Sequence, residues 1–212
     1  VTHVVWIIVW LVALFALLSI AWRALSRYRS LPCPSLLAWT LEGSLADRLA
    51  GTSVTLDRAQ LQPGQTVLEV GPGPGRLLIP ASFRVLPGGR AIGIDLQYKM
   101  VERLKQRAAA AGASNLTALI GDAAELKLER ESVDRVLLCT VLGEIPQRSR
   151  AAALAEIFRV LKPGGLLSIT EIMGDPHYQT RAKVDQLARA AGLEPAAVEG
   201  NFWRYTANFR RP

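Results

Sequence analysis

Two cysteines and two histidines are all that 212 residues contain, and that scarcity excludes chemistry. Cys33 and Cys139 are too few for a disulfide framework, and no Cys or His spacing matches a metal-ligand set, so no metal is expected. Cys139 sits inside an apolar run and reads as a small core residue. Cys33 stands between Pro32 and Pro34, where acylation is conceivable but unsupported. His3 and His177 are too distant in sequence to define a site by themselves. Acidic residues are missing from the first thirty positions, while Arg23, Arg27 and Arg29 occur there. No internal repeat or low-complexity segment appears.

What the chain has in excess is apolar length at one end. Residues 4–22, VVWIIVWLVALFALLSIAW, are 19 positions without a charge. As a helix they would extend about 28 Å, near the roughly 30 Å of a bilayer's hydrocarbon layer. Trp6, Trp10 and Trp22 include candidates for an interfacial aromatic belt. A signal peptide or buried helix is the alternative, but no Lys or Arg precedes the run to form a signal peptide's positive leading region. The arginines that follow place the rest of the chain on the cytoplasmic side. The expectation is therefore a single-pass membrane protein: 1–30 as transmembrane anchor and basic flank, with the lipid bilayer as partner through residues 4–22.

The formal net charge is +7. Beyond position 30 the balance is modest, 22 basic against 18 acidic residues. The basic side chains are spread out, apart from Arg204, Arg210 and Arg211, which is weak support for nucleic acid as a partner. None is expected.

Residues 31–51 read as a linker, SLPCPS, followed by an amphipathic helix with Leu37, Leu41, Leu45 and Leu49 at four-residue spacing. That stripe packs on a core, covers a pocket or lies on a membrane. Residues 52–212 form one domain in which strand and helix patterns alternate. Strands are predicted at Val67–Val70, Ala91–Asp95, Thr117–Ile120, Asp134–Cys139 and Leu166–Ile172. Helices are predicted over 76–86, over 98–111 stopping at Gly112, over SRAAALAEIFRVLKPGG, and over 180–191. Such alternation argues for a parallel α/β sheet covered on both faces. The end of the chain breaks the rhythm: two extended segments flank Gly200–Asn201. In the second, Tyr205, Ala207 and Phe209 alternate with Arg204, Thr206, Asn208 and Arg210, which reads as a half-buried antiparallel edge strand.

One loop carries the functional signal. VLEVGPGPGR, residues 67–76, runs from a strand into glycines that let a ligand approach the backbone. Phosphate cradles aim backbone N–H groups at negative charge, yet Pro72 and Pro74 have no N–H to give. Glu69 would also repel a pyrophosphate, by roughly 4 kcal/mol for unit charges about 4 Å apart at an effective dielectric of 20. A ligand with an ammonium and no phosphate suits this turn, and S-adenosylmethionine has that character. Asp95, ending the second strand, is placed to take ribose hydroxyls. Asp122 follows the third strand, where its side chain can accept from an adenine amino group. For both acids, helix capping is the plain alternative.

These stretches, VLEVGPGPGR, AIGIDLQ, GDAAEL, VDRVLLCTVLGEIP and RVLKPGG, resemble in order and spacing the class I, seven-stranded S-adenosylmethionine-dependent methyltransferases, and within them the small ubiquinone/menaquinone-type branch. The resemblance covers about residues 52–212. It implies a Rossmann-like doubly wound sheet in the order 3-2-1-4-5-7-6 with strand 7 antiparallel, and S-adenosyl-L-methionine as cofactor. It further implies that Glu69, Gly71, Gly73 and Gly75 serve the methionine end. Asp95 would hold the ribose, Leu96 would lie against adenine, and Asp122 and Ala123 would recognise its edge. Thr140 and Val141 would line the sulfonium side.

A sulfonium is already an activated methyl donor, so catalysis is mainly holding an acceptor in line. A base is needed only if the acceptor loses a proton; Glu144, His177 and Tyr178 are candidates, with Glu171 behind them. The span expected at 4–22 favours a small lipophilic acceptor: a quinone precursor, lipid, phenol or thiol. CTVLGEIP replaces the Asn/Asp-Pro-Pro-Tyr/Phe signature of base amino methylation. The rival readings are an NAD(P)-dependent reductase, an RNA methyltransferase and a non-catalytic cofactor-binding module.

Overall fold

The computed structural model describes residues 51–212, together with positions 5–7, 9–11, 13, 14, 17, 20 and 21. Its central strand, β1 (Thr66–Val70, TVLEV), is buried at all five positions, so the sheet needs cover above and below. Helix α1 (Thr52–Arg58) precedes it. After it come α2 (Leu78–Arg84), β2 (Arg90–Asp95), α3 (Tyr98–Ala111), β3 (Leu116–Ile120) and β4 (Val133–Cys139). A short 3-10 turn, Gln147–Ser149, leads into α4 (Arg150–Val160), β5 (Leu161–Ile172), α5 (Arg181–Ala190), β6 (Glu194–Gly200) and β7 (Arg204–Arg210).

The seven strands lie in the order β3-β2-β1-β4-β5-β7-β6. The first five pair in parallel, and β7 runs antiparallel to both β5 and β6. This is the doubly wound sheet that the alternating pattern predicts. Alternation of side chains along each strand divides the core in two. Leu138, Leu154, Ile157, Ile169, Val184 and Phe209 pack on the α4–α5 face. Val67, Leu56, Leu78, Val101, Leu104 and Leu137 pack on the α1–α2–α3 face. Each fully buried leucine contributes roughly 1.5–3 kcal/mol. Helix α3 ends at Gly112, whose φ of 72° closes it in the left-handed conformation, as glycine at that position predicts.

Several expectations need correction. The single-pass membrane location and transmembrane helix do not stand: among the described residues, no helix is long and apolar enough to cross a membrane. Spanning takes about 20 apolar helical residues, whereas α3, the longest helix within 51–212, has 14. Much of 4–22 lies outside the described residues, as do Arg23, Arg27, Arg29, Cys33 and the leucine stripe of 37–49. Helix α4 stops at Val160, short of the KPGG turn, because Leu161 already pairs with Val133 in the sheet. Strand β7 is not an edge. It lies between β5 and β6, and two of its polar alternates are buried: Thr206 shares a hydrogen bond of 2.9 Å with Thr170, and Asn208 donates to the Arg58 carbonyl at 2.8 Å. These partners satisfy the Thr206 hydroxyl and the Asn208 amide N–H, while Asn208 Oδ1 is buried without a hydrogen-bond partner.

Candidate active site

In an open α/β sheet, ligands bind beyond the C-terminal ends of the parallel strands. There the loops after β1, β2, β3, β4 and β5 surround a cavity of about 420 Å³, within the range of small-molecule sites. It brings together Glu69, Gly71, Gly73, Asp95, Leu96, Asp122, Ala123, Thr140, Val141 and Glu144. Gly75 does not reach it. A Cβ there would stand 2.4 Å from Leu104 Cδ1, so this glycine serves the packing of loop on helix. Gly73 is different: its φ is 52° and nothing lies within 4 Å of where a Cβ would project. It lines the cavity and leaves the backbone open to a ligand.

Glu69 is 3% exposed, and its Oε2 has no hydrogen-bond partner. Burial pushes its pKa up to about 8, against the opposing pull of the Arg76 guanidinium. A buried carboxyl with an orphaned oxygen in a ligand cavity is strained until a donor arrives. An ammonium fits that need and a phosphate does not. Asp95, 7% exposed, is anchored at both oxygens: Oδ2 accepts from the Gly73 amide at 3.1 Å and Oδ1 from the Gln97 amide at 2.9 Å. Burial raises its pKa as well. Neither acid is the side-chain cap of a helix. The N-cap of α3 is Gln97, and Asp122 Oδ1 accepts from Ala124, where no helix begins. Each carboxylate oxygen has a second lone pair for a ligand hydroxyl or amine.

After β4 the chain turns sharply. Thr140 has φ 58°, an unusual conformation for a β-branched residue that costs of order 1–3 kcal/mol and clusters at functional sites. Its amide donates to the Thr170 carbonyl at 2.9 Å, holding the strained residue at the end of the sheet. Beyond it, Val141, Glu144, Ile145, Pro146 and Ser149 form one wall, and Asp175 from the loop after β5 another.

Two of the base candidates lie elsewhere. His177 is 5% exposed and Tyr178 sits edge-on to Tyr205, with ring centroids 6.1 Å apart; neither lines the cavity. Glu171 is also outside it, buried under the two loops. Asp175 falls in the segment 171–178 that a ligand site beyond the strand ends would include, and Arg76 closes the glycine motif, but neither stood out as a site residue by itself. Arg76 Nη1 donates to Thr52 Oγ1 at 2.9 Å and Nη2 to Cys139 Sγ at 3.4 Å. Its place beside Glu69, at the end of a glycine turn, was the available clue.

Comparison with known proteins agrees with this geometry. A family described as a methyltransferase domain matches residues 67–165. A protein of Streptomyces fradiae, "Uncharacterized 37.1 kDa protein in transposon TN4556", is 38% identical over 66% of this chain and 40% of its own length. The arsenite methyltransferase of Halobacterium salinarum is 29% identical over 60% of this chain and 32% of its own. The demethylmenaquinone methyltransferase of Symbiobacterium thermophilum is 33% identical over 51% and 43%. The chain thus spans less than half the length of each of these relatives. An S-adenosylmethionine-dependent methyltransferase from Aquifex aeolicus superposes with a TM-score of 0.77 at 22% identity, covering 85% of this chain and all of that one, which shows the fold. Glu69, Asp95 and the donor-poor glycine turn fit S-adenosylmethionine, the cofactor that family and fold imply. Over residues 67–165 the chain matches a methyltransferase domain, set in the fold of an S-adenosylmethionine-dependent methyltransferase.

Proposed function

We propose that this chain transfers a methyl group from S-adenosylmethionine to a small lipophilic acceptor such as a phenol or hydroquinone ring. One observation carries the reading: beyond Glu69, Asp95 and Asp122 the cavity is also lined by Val141, Ile145 and Pro146, an apolar stretch set among Glu144, Arg148, Ser149 and Asp175. Apolar surface with a few convergent polar groups suits a ring bearing a hydroxyl.

In this reading Glu69 receives the ammonium, Asp95 the ribose hydroxyls, and Asp122 with Ala123 the adenine edge. The bound cofactor supplies an electrophilic methyl on a positively charged sulfur. The wall after β4 holds the acceptor in line and keeps water out. Where the acceptor carries an ionisable hydroxyl, Glu144 or Asp175 takes its proton.

The test is incubation of the full chain with methyl-labelled S-adenosylmethionine and either a lipid extract or total RNA. Label in a lipid-soluble product supports the proposal. Label in RNA, or transfer to neither fraction, sinks it.

A further inference from the structure

The acceptor side of the cavity is built from two loops, and one arginine fastens them. Arg150 opens α4. Its Nε donates to the Ile145 carbonyl at 2.8 Å and its Nη2 to the Gly143 carbonyl at 2.8 Å, closing the loop after β4 on itself. Its Nη1 reaches across to Gln179 Oε1 at 3.2 Å. Gln179 belongs to the other loop, after β5, and passes the connection on. Its Nε2 donates to the His177 carbonyl at 2.7 Å, its backbone amide donates to Glu171 Oε2 at 3.0 Å, and its carbonyl accepts from the Tyr205 hydroxyl at 2.7 Å.

The loops also touch directly. A Cβ on Gly143 would fall 1.8 Å from the His177 carbonyl oxygen, so only glycine permits the approach. Beneath the seam lies Glu171, 1% exposed, with Oε1 lacking a hydrogen-bond partner. Arg150 attracts that buried group across the seam. A planar guanidinium offers donors in a fixed fork, here to three acceptors on two segments; a lysine ammonium cannot match this geometry.

We propose that Arg150 is a positioning residue for the methyl acceptor: by fastening the loop that carries Glu144 to the loop that carries Asp175, it sets the spacing of the two carboxylates that line the acceptor wall. The acceptor part rests on the reading given under Proposed function; the fastening does not. Arg150 itself lies outside the cavity wall, so it acts through the loops. Displacing a reacting pair by about 1 Å can cost on the order of 100-fold in rate.

The test uses the full chain saturated with S-adenosylhomocysteine, comparing Arg150→Met, Gln179→Met and the double variant by amide hydrogen exchange. The expected result is exchange at least tenfold faster at both 141–146 and 174–179 in each single variant. The double variant should be no faster, while exchange at the Gly71, Gly73 and Gly75 amides and S-adenosylhomocysteine affinity stay within twofold. Loosening of only one loop, additive effects, or a parallel loss of S-adenosylhomocysteine affinity would overturn the fastening. With 1,4-dihydroxynaphthalene as probe acceptor, Arg150→Lys should recover the melting temperature but keep a KM raised at least tenfold; recovery of both would reduce Arg150 to a fold residue. If the unaltered chain leaves this probe and every lipid fraction unmethylated, the lipophilic reading fails while the exchange result still decides the fastening.

Discussion

The Gly73 amide donates to Asp95 Oδ2 across 3.1 Å, so the loop after β1 and the end of β2 are locked together by the same carboxylate that we propose holds the ribose. Asp95→Ala removes an anchor for the glycine turn and a ligand acceptor at once. Hydrogen bonds to charged groups contribute about 1.5–3 kcal/mol each. S-Adenosylhomocysteine affinity by calorimetry should fall at least tenfold, and Asp95→Asn, which keeps one acceptor oxygen, should fall less.

Glu69 makes a signed prediction about pH. Its folded pKa, about 8, is raised from 4.5, so the folded state holds a proton that the unfolded state has released. Its contribution to stability is intact below about 4.5 and is lost as pH rises toward 8. Glu69→Gln should therefore melt higher than the unaltered protein near pH 8, with the difference shrinking toward pH 5. Glu171 is pushed up to about 8 as well, chiefly by burial, so the comparison with Glu69→Gln isolates one group from the other.

The same carboxyl should release a proton on binding an ammonium. At pH 6–7, titration of S-adenosylhomocysteine in buffers of different ionisation enthalpy should show proton release that is lost in Glu69→Gln. That variant should also bind at least tenfold more weakly, reflecting the loss of a buried charge-assisted contact.

Gly71 and Gly73 should fail differently. At Gly71, φ is 68° and an added Cβ would meet Val141 Cγ2 at 2.6 Å, combining backbone strain of about 1–2 kcal/mol with overpacking of about 1–3 kcal/mol. At Gly73 the strain remains but no clash exists. Gly71→Ala should lower the melting temperature more. Gly73→Ala should keep more of its stability yet lose S-adenosylhomocysteine affinity, because the methyl enters the cavity.

Cys139 should be inert despite lining the site. Burial pushes its thiol up to about 11, even with Arg76 beside it, and the thiolate is the reactive form. In a Cys33→Ser background, alkylation by iodoacetamide at pH 8 should run on the order of 100-fold slower than for free cysteine, and denaturation should restore the ordinary rate.

Features set by local chemistry were legible in the sequence. The glycine turn announces itself because positive φ, missing amides and an adjacent acid are properties of neighbouring residues. The hairpin at Gly200–Asn201 was equally local. What escaped was decided by partners far along the chain. Thr206 and Asn208 look like solvent-facing alternates until Thr170 and Arg58 are brought against them. Asp175 has no motif around it and lines the cavity beside the loop after β4, to which Arg150, 25 positions earlier, links its loop through Gln179. His177 suggested chemistry by residue type alone, and packing placed it away from the cavity. The run at 4–22 had the composition of a span, but composition does not by itself establish a spanning helix.

The contacts that bury β7 have reach beyond the sheet. Asn208 grips the Arg58 carbonyl, and Arg58 Nη1 extends to Thr206 Oγ1 at 3.5 Å. At the opposite end of that seven-residue helix, Thr52 steadies Arg76 beside Glu69. A remote lever thus joins β7 to the part of the cavity around Glu69. Changes near position 208, in residues that never meet a ligand, would register as altered cofactor grip, and appendages fused behind Arg210 would have to be judged by affinity as well as by solubility.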